Sequence, residues 1–398
     1  MIMVQELIMP ETQETFPYSD LQHYFASSIT EIEREDWNRL AGEENPFTRY
    51  EFFEALEISG CTSADTGWQP HHLVIRIEGE TVGLVPLFLK TNSYGEYVFD
   101  WSWARAYQQA GFNYYPKLIS AIPFTPSTGE RVFLSKAVAR ASLLKLIVSI
   151  LNDETRANKF SSWHLLFPEA ELSNELKDQG TIQRVGTQYH WFNRGYKTFD
   201  SYLSAMSSRK RKSIRKERGA VSASGIEFRV IEGASITPGD WERFILFYLT
   251  TYAVRGQAGY LNKEFFERIG ESIPHQLFLI FAVRNGEDIA GSLFFKSKTQ
   301  LFGRYWGCLE EEAFLHFETC YYQGIDYAIS NGFKVFDAGA QGEHKIKRGF
   351  EPILTYSNHW LADSRFSSAV TNFVNEEKPH IEDYMGAAST MLPFKKDL

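Results

Sequence analysis

Cysteine is scarce: Cys61, Cys308 and Cys320 are the only three in 398 residues, an odd number with no CxxC pair and no His/Cys group at zinc-ligand spacing. A disulfide framework is excluded and no metal is expected. Long apolar runs are missing too. Stretches such as VGLVPLFL and LFLIFAV end after seven or eight residues, far short of the ~20 that cross a bilayer, so no transmembrane segment is expected. The opening MIMVQELIMPETQETF carries Glu6 and Glu11 and lacks the basic start and apolar core of a signal peptide, which points to a reducing, cytoplasmic setting. Positive charge is in deficit: 41 Lys and Arg against 50 Asp and Glu give a formal net charge of −9, the opposite of the broad basic surface that DNA binding needs. No GxSxG elbow is present. Cys308 and Cys320 lie near His316, but in an aromatic segment they read as core residues rather than nucleophiles.

Hydrophobic residues make up 43% of the chain and aromatics 15%, enough for a sizeable core, and the length suits two domains of roughly 150 to 200 residues. DLQHYFASSITEIEREDWNRLAG reads as strand then helix. HHLVIRIEGETVGLVPLFLK alternates on both sides of Glu78-Gly79-Glu80, a hairpin running into a third strand. SKAVARASLLKLIVSILND has helical spacing. The second half repeats the first. YEFFEAL answers KEFFERI (Phe52, Phe265), IEGETVGLVPLFLK answers RNGEDIAGSLFFK (Gly79, Gly286; Lys90, Lys296), and NYYPKLISAI answers CYYQGIDYAI (Tyr114, Tyr321). Two copies of one α/β unit follow in tandem. Between them, a strand with Tyr189, Trp191 and Phe192 is expected to give way to one long helix, whose partial stripe is Phe199, Leu203, Met206 and Ile214.

That arrangement, with the segments YGEYVFDWSWARAY, YYPKLISAIPFTPSTGERVF, MSSRKRKSIRKER, FGRYWGC, LHFETCYYQGIDYAI and DAGAQGEHKIKRGFEP, resembles the Fem-like branch of the GNAT superfamily of N-acyltransferases. It is most similar to a bacterial set described as peptidoglycan biosynthesis/recognition proteins. The resemblance implies an α/β (α+β) fold of two GNAT-like units, each a mixed twisted sheet flanked by helices, packed side by side. The units are expected at residues 20–195 and 196–375, with a helical tail at 376–398. It implies an N-acyltransferase, or aminoacyltransferase, acting on an amine, with a non-catalytic module that binds cell-wall precursors or RNA as the other reading. The donor stays open between acyl-CoA and aminoacyl-tRNA. No complete pyrophosphate loop [Q/R]xxGx[G/A] is present, Gln300 to Tyr305 failing at its last position, and the Fem-type lysine motif reads IKRGFE, with Lys347 at the lysine but Ile346 and Glu351 differing.

Three constellations could carry the chemistry. From Arg209 to Arg218 there are seven Lys/Arg and one Glu, a cationic island in an acidic chain. On a helix, Arg211 and Arg215 share a face beside Lys212, a candidate grip on an anionic, phosphate-bearing partner or tRNA. Next, the strand FKVFD runs into Gly339, Ala340, Gln341 and Gly342, followed by Glu343, His344 and Lys347. Glycines there let a ligand approach backbone; Lys347 is the candidate oxyanion support, and Glu343 or His344 the candidate base. Third, Arg304 and Tyr305 stand among aromatics with Glu318 as Arg304's candidate partner. Trp101 and Trp103 offer ring surfaces for a sugar or base.

Overall fold

A computed structural model describes residues 20–254, 256–340 and 342–395. The polar leader with Glu6 and Glu11, and the candidate Gln341, lie outside the described residues. The first half carries strands β1 (Leu21–Ala26), β2 (Trp68–Pro70), β3 (His72–Ile77), β4 (Glu80–Val85), β5 (Phe88–Lys90), β6 (Lys117–Ser120), β7 (Phe133–Leu134), β8 (Ser162–Leu166) and β9 (Ile182–Phe192). Helices α1 (Arg34–Ala41), α2 (Tyr50–Ile58), α3 (Trp101–Gln109), α4 (Arg140–Ala157) and α5 (Ala170–Asp178) lie among them. The second half carries β10 (Ile226–Glu232), β11 (Leu277–Arg284), β12 (Glu287–Lys296), β13 (Gln300–Cys308), β14 (Val335–Asp337) and β15 (Glu351–Leu361). Its helices are α6 (Phe199–Ser204), α7 (Ser208–Ala223), α8 (Pro238–Ala253), α9 (Lys263–Ser272), α10 (Leu315–Phe317), α11 (Gln323–Ser330) and α12 (Ser364–Thr390). A π-helical stretch, Glu318–Tyr322, joins α10 to α11.

The repeat is physical. Glu78-Gly79 and Asn285-Gly286 both turn with two positive φ angles, the pattern whose twist suits a two-residue hairpin. Each hairpin carries a register shift at the matching place, Ile75/Arg76 in one and Ala282/Val283 in the other. Phe52 of α2 and Phe265 of α9, paired in the repeat, meet edge to face at 5.6 Å. Pro86 marks where the halves differ: it separates β4 from β5, while β12 runs unbroken. Proline cannot donate to a ladder, and β4 and β5 enter different sheets.

Two elements depart from the sequence reading. Lys117–Ser120 is a strand buried on both faces, whereas Gln323–Ser330 is a helix, so NYYPKLISAI and CYYQGIDYAI are not equivalent. The helix expected to span Phe199 and Ile214 is two helices. Met206 bridges to Phe394, Ser207 N–H donates to Pro393 O (2.9 Å), and Lys395 N–H to Ala205 O (3.1 Å). Those bonds use backbone groups that a continuous helix would need. At the C-terminal end, α12 runs through position 376 without a break.

The side-by-side packing becomes an exchange of strands. One sheet of eleven strands runs β10-β11-β12-β13-β14-β9-β15-β8-β6-β5-β2, and a second holds β1-β3-β4-β7. β9, from the first half, pairs with β14 (His190 opposite Asp337), while β15, from the second, pairs with β8 (His359 opposite His164). β9 and β15 pair with each other, Gly186 opposite Thr355. Each half is thus completed by the other's last strand, and an aromatic core with Phe47, Phe52, Phe265 and Phe295 spans both.

Candidate functional site

β13 and β14 run parallel only from Gln300 to Phe302 against Val335 to Asp337; beyond that β13 continues to Cys308 paired with β12 but not with β14. Arg304 sits just past this split. Its guanidinium donates to Asp337 Oδ2 (2.5 Å), Asp337 O (3.2 Å) and Gly303 O (3.1 Å), and both side chains are 2% exposed. Burial would raise the Asp337 carboxyl, but Arg304, His190 and the Gly339 N–H (2.8 Å) bring it down to about 2. The Arg304 Nε–H has no partner. Arg304, Tyr305 and Ala338 line two cavities at once. A cleft of about 300 Å³ opens between the units, and a smaller cavity of about 80 Å³, lined also by Trp306, His316 and Cys320, lies in the split.

The larger cleft is aromatic. The loop from Ser93 to Trp101 supplies Tyr94, Tyr97, Phe99 and Trp101, the facing unit supplies Tyr252 and Tyr260, and Gly339 and Ala340 lie at its floor. Gly339 has φ +81°, which a side-chain-bearing residue adopts only under strain. Lys117, fully buried on β6, fixes that loop: its Nζ donates to Ser93 Oγ (3.1 Å), Glu96 Oε2 (2.8 Å) and Asp100 Oδ2. Burial pushes the Glu96 carboxyl up to about 7; at Asp100 burial is outweighed by Lys117 and the hydrogen bond from Tyr114, which hold the carboxyl low. Behind the loop, Tyr114 OH reaches Asp100 Oδ2 (2.6 Å) and His164 Nε2 (3.3 Å), and His164 Nδ1 meets His359 Nδ1 across the exchanged strands at 2.7 Å.

Lys345, which was not among the candidates from the sequence, lies beside the cleft. Its buried Nζ donates to the carbonyls of Ala338 (2.9 Å) and Gly339 (2.7 Å), so it braces the cleft floor from behind, and burial lowers it to about 8. Nothing in the charge pattern separates it from Lys347; the turn Glu343–Arg348 does, by turning Lys345 and Ile346 inward and leaving Lys347 exposed.

Several candidates fall elsewhere. Lys347 and Glu343 are exposed, and Glu343 accepts from Tyr384 OH (2.8 Å). His344 Nε2 contacts Tyr321 OH at 3.0 Å, and burial together with Arg348 and Lys345 lowers its imidazole. Arg211, Lys212 and Arg215 line neither the cleft nor the smaller cavity. Helix α7 turns Ile214, Glu217, Arg218 and Val221 toward the protein, so Lys212 and Arg215 face solvent. Arg215 pairs with Asp200 (3.0 Å), and Arg211 donates to Met206 O (3.3 Å). Glu318 pairs with Arg218 (2.9 Å), not Arg304. Trp103 is buried against His359 while Trp101 reaches the cleft. The Cys320 thiol is pushed up to about 12 by burial, which leaves no thiolate nucleophile there. Arg304, Tyr305, Gly339 and Trp101 are therefore the candidates that the fold brings together.

A family model described as peptidoglycan biosynthesis/recognition (FemAB-like) matches residues 28–396. Among solved structures, FemX superposes with a TM-score of 0.52 at 11% identity, covering 85% of this chain and 98% of that chain. The C-terminal domain of a putative lysylphosphatidylglycerol synthetase from Agrobacterium fabrum gives 0.51 at 11% identity, with 86% and 96% covered. A tandem GNAT protein from the clavulanic acid biosynthesis pathway gives 0.47 at 9% identity, with 86% and 99% covered. At such identities the likeness is one of fold. No curated protein matches the sequence.

Proposed function

Since the chain belongs to the FemAB-like family and has a tandem GNAT fold, we propose that it is an N-acyltransferase. It moves an acyl or aminoacyl group from an ester or thioester to an amine, with a peptidoglycan precursor as acceptor. The observation that carries this reading is Arg304, which lines both the 300 Å³ cleft and the 80 Å³ cavity and keeps an unpartnered Nε–H. With the donor's carbonyl in the small cavity and the acceptor's amine in the aromatic cleft, the two meet at that guanidinium. Nitrogen attacks the carbonyl carbon, the N–C bond forms, the C–O or C–S bond breaks, and the amine's proton ends on the departing oxygen or sulfur. Arg304 donates to the oxyanion that develops in between. Holding both reactants in place supplies most of the rest.

The donor is better read as an aminoacyl ester than as acyl-CoA. The segment leading to the helix after β13 lacks a complete pyrophosphate loop [Q/R]xxGx[G/A], Gln300 to Tyr305 failing at its last position, and so lacks the backbone cradle that holds a pyrophosphate at a helix N-terminus. A cytoplasmic site of action accords with such a donor; no helix among the described residues is long and apolar enough to cross a membrane. A thermal-shift panel of acyl-CoAs, aminoacyl-tRNA and nucleotide-linked muropeptides, followed by mass spectrometry of the acceptor, tests the proposal. Stabilisation by an ester donor and an acceptor heavier by one acyl group are expected. Stabilisation by acceptor alone, with no gain in mass under any donor, would replace the enzyme with a binding module.

A further inference from the structure

Beneath α12 a second cavity, a chamber of about 200 Å³, lies along the seam where β9 and β15 pair. It adjoins the aromatic cleft, and Tyr97, Phe99 and Ala340 line both. The space exists because position 186 has no side chain: a Cβ there would stand 3.0 Å from Thr355 Oγ1 across the strand pair. At one end Gln188, 2% exposed, donates through Nε2 to Pro126 O (2.9 Å). Because a carbonyl can only accept, that bond fixes which end of the amide is which. Gln188 Oε1 is then a buried acceptor with no protein partner. At the other end Arg184 and Glu377 close on each other through two bonds of 2.7 Å, and Arg184 also donates to Phe99 O (2.8 Å). That charge is spent within the protein, so the chamber presents no net charge to a ligand.

We propose that this seam chamber is a binding site for an uncharged secondary amide carried by the acceptor, whose N–H bonds Gln188 Oε1. A buried acceptor asks for a donor, the closed ion pair disfavours a charged one, and the volume admits a group no larger than an acetamido arm or one peptide unit. The inference rests on the reading that the acceptor occupies the aromatic cleft, and it adds the acceptor feature that is read. An amide can come from an acetamido sugar or from a peptide, and the probes separate the two.

Isothermal titration of the full chain with di-N-acetylchitobiose, with cellobiose, and with an N-acetylated alanine dipeptide methylamide tests it without any donor present. Either amide probe is expected to bind about tenfold more tightly than cellobiose, the gain of one buried hydrogen bond; which of them does so identifies the source. Gln188→Met should erase that difference. Gly186→Leu, which fills the chamber and leaves Gln188 in place, should erase it too, and serves where the first variant fails to fold. Equal binding of all three probes by the unaltered chain, or no binding of either amide probe, would overturn the proposal and leave the chamber to water. Discrimination without acyl transfer would sink only the catalytic reading. Transfer without discrimination would sink only the chamber.

Discussion

His164 and His359 place two imidazole Nδ1 atoms 2.7 Å apart in a fully buried setting. One must donate and the other accept, so the accepting ring is neutral, and burial keeps its partner neutral as well; a proton added to the acceptor would set two donors face to face. Burial lowers His359 well below 6.5, helped by Arg184 and Lys117. Below pH 6.5 the unfolded chain therefore takes up a proton that the native state refuses. The stability contributed by the neutral ring is complete above pH 6.5 and falls with pH at about 1.4 kcal/mol per unit. Urea unfolding of the wild type and His359→Asn at pH 6.5 and 5.0 should show the wild type losing about 2 kcal/mol relative to the variant. Glu96, whose raised carboxyl works in the opposite sense, is common to both proteins and cancels. A constant difference would show that His359 carries its proton in the native state.

Among the elements, α8 approaches β13 so closely that a Cβ at Gly307 would lie 2.0 Å from Phe247 O. Backbone cannot yield as a flexible side chain can, so Gly307→Ala should cost at least about 1–3 kcal/mol in denaturant unfolding. The variant should also disturb the cleft, because α8 carries Tyr252 into it. An unfolding midpoint equal to that of the wild type would show that the helix shifts freely. Other elements were legible in the sequence. The first hairpin announced itself by alternation around Glu78-Gly79, the second by its repeat of that segment at Gly286, and the α4 helix by its apolar spacing. The site was legible only in part. Gly339, Arg304, Tyr305 and Trp101 stood out by composition, but Arg304's partner Asp337 comes from a different strand, brought alongside by the parallel β13–β14 pairing. Lys345 and Lys347 differ only in which side of one tight turn they face. For the basic run, charge density is visible in a sequence while partners are not: Asp200, Glu318 and Asp326 meet Arg215 and Arg218 from other elements.

For the whole molecule, the exchanged strands make each unit depend on the other. We propose the units as residues 20–195 and 196–375. Cut between them, the first fragment would keep β9 without β14 to pair with, and the second would keep β15 without β8. Unpaired buried edges of that kind aggregate. The two fragments, each extended to its own chain end, should be insoluble or unfolded when expressed singly and should recover the wild-type circular dichroism spectrum as a one-to-one complex when co-expressed. Cooperative unfolding of either fragment alone would show that the exchange is incidental. The same interdependence explains why the two cavities flanking Arg304 can be held in fixed relation: the larger is walled by both units, and one sheet runs through both.

The most direct measurement is single-turnover transfer by Arg304→Lys beside the wild type, with acceptor affinity and melting temperature taken on the same samples. Lysine keeps a positive charge opposite Asp337 but has no Nε–H to offer the oxyanion. A transfer rate lower by about 10²–10³-fold, with acceptor affinity and melting temperature little changed, is the expected result. An unchanged rate, or a rate that falls only as far as acceptor affinity does, would contradict a reaction centred on that guanidinium.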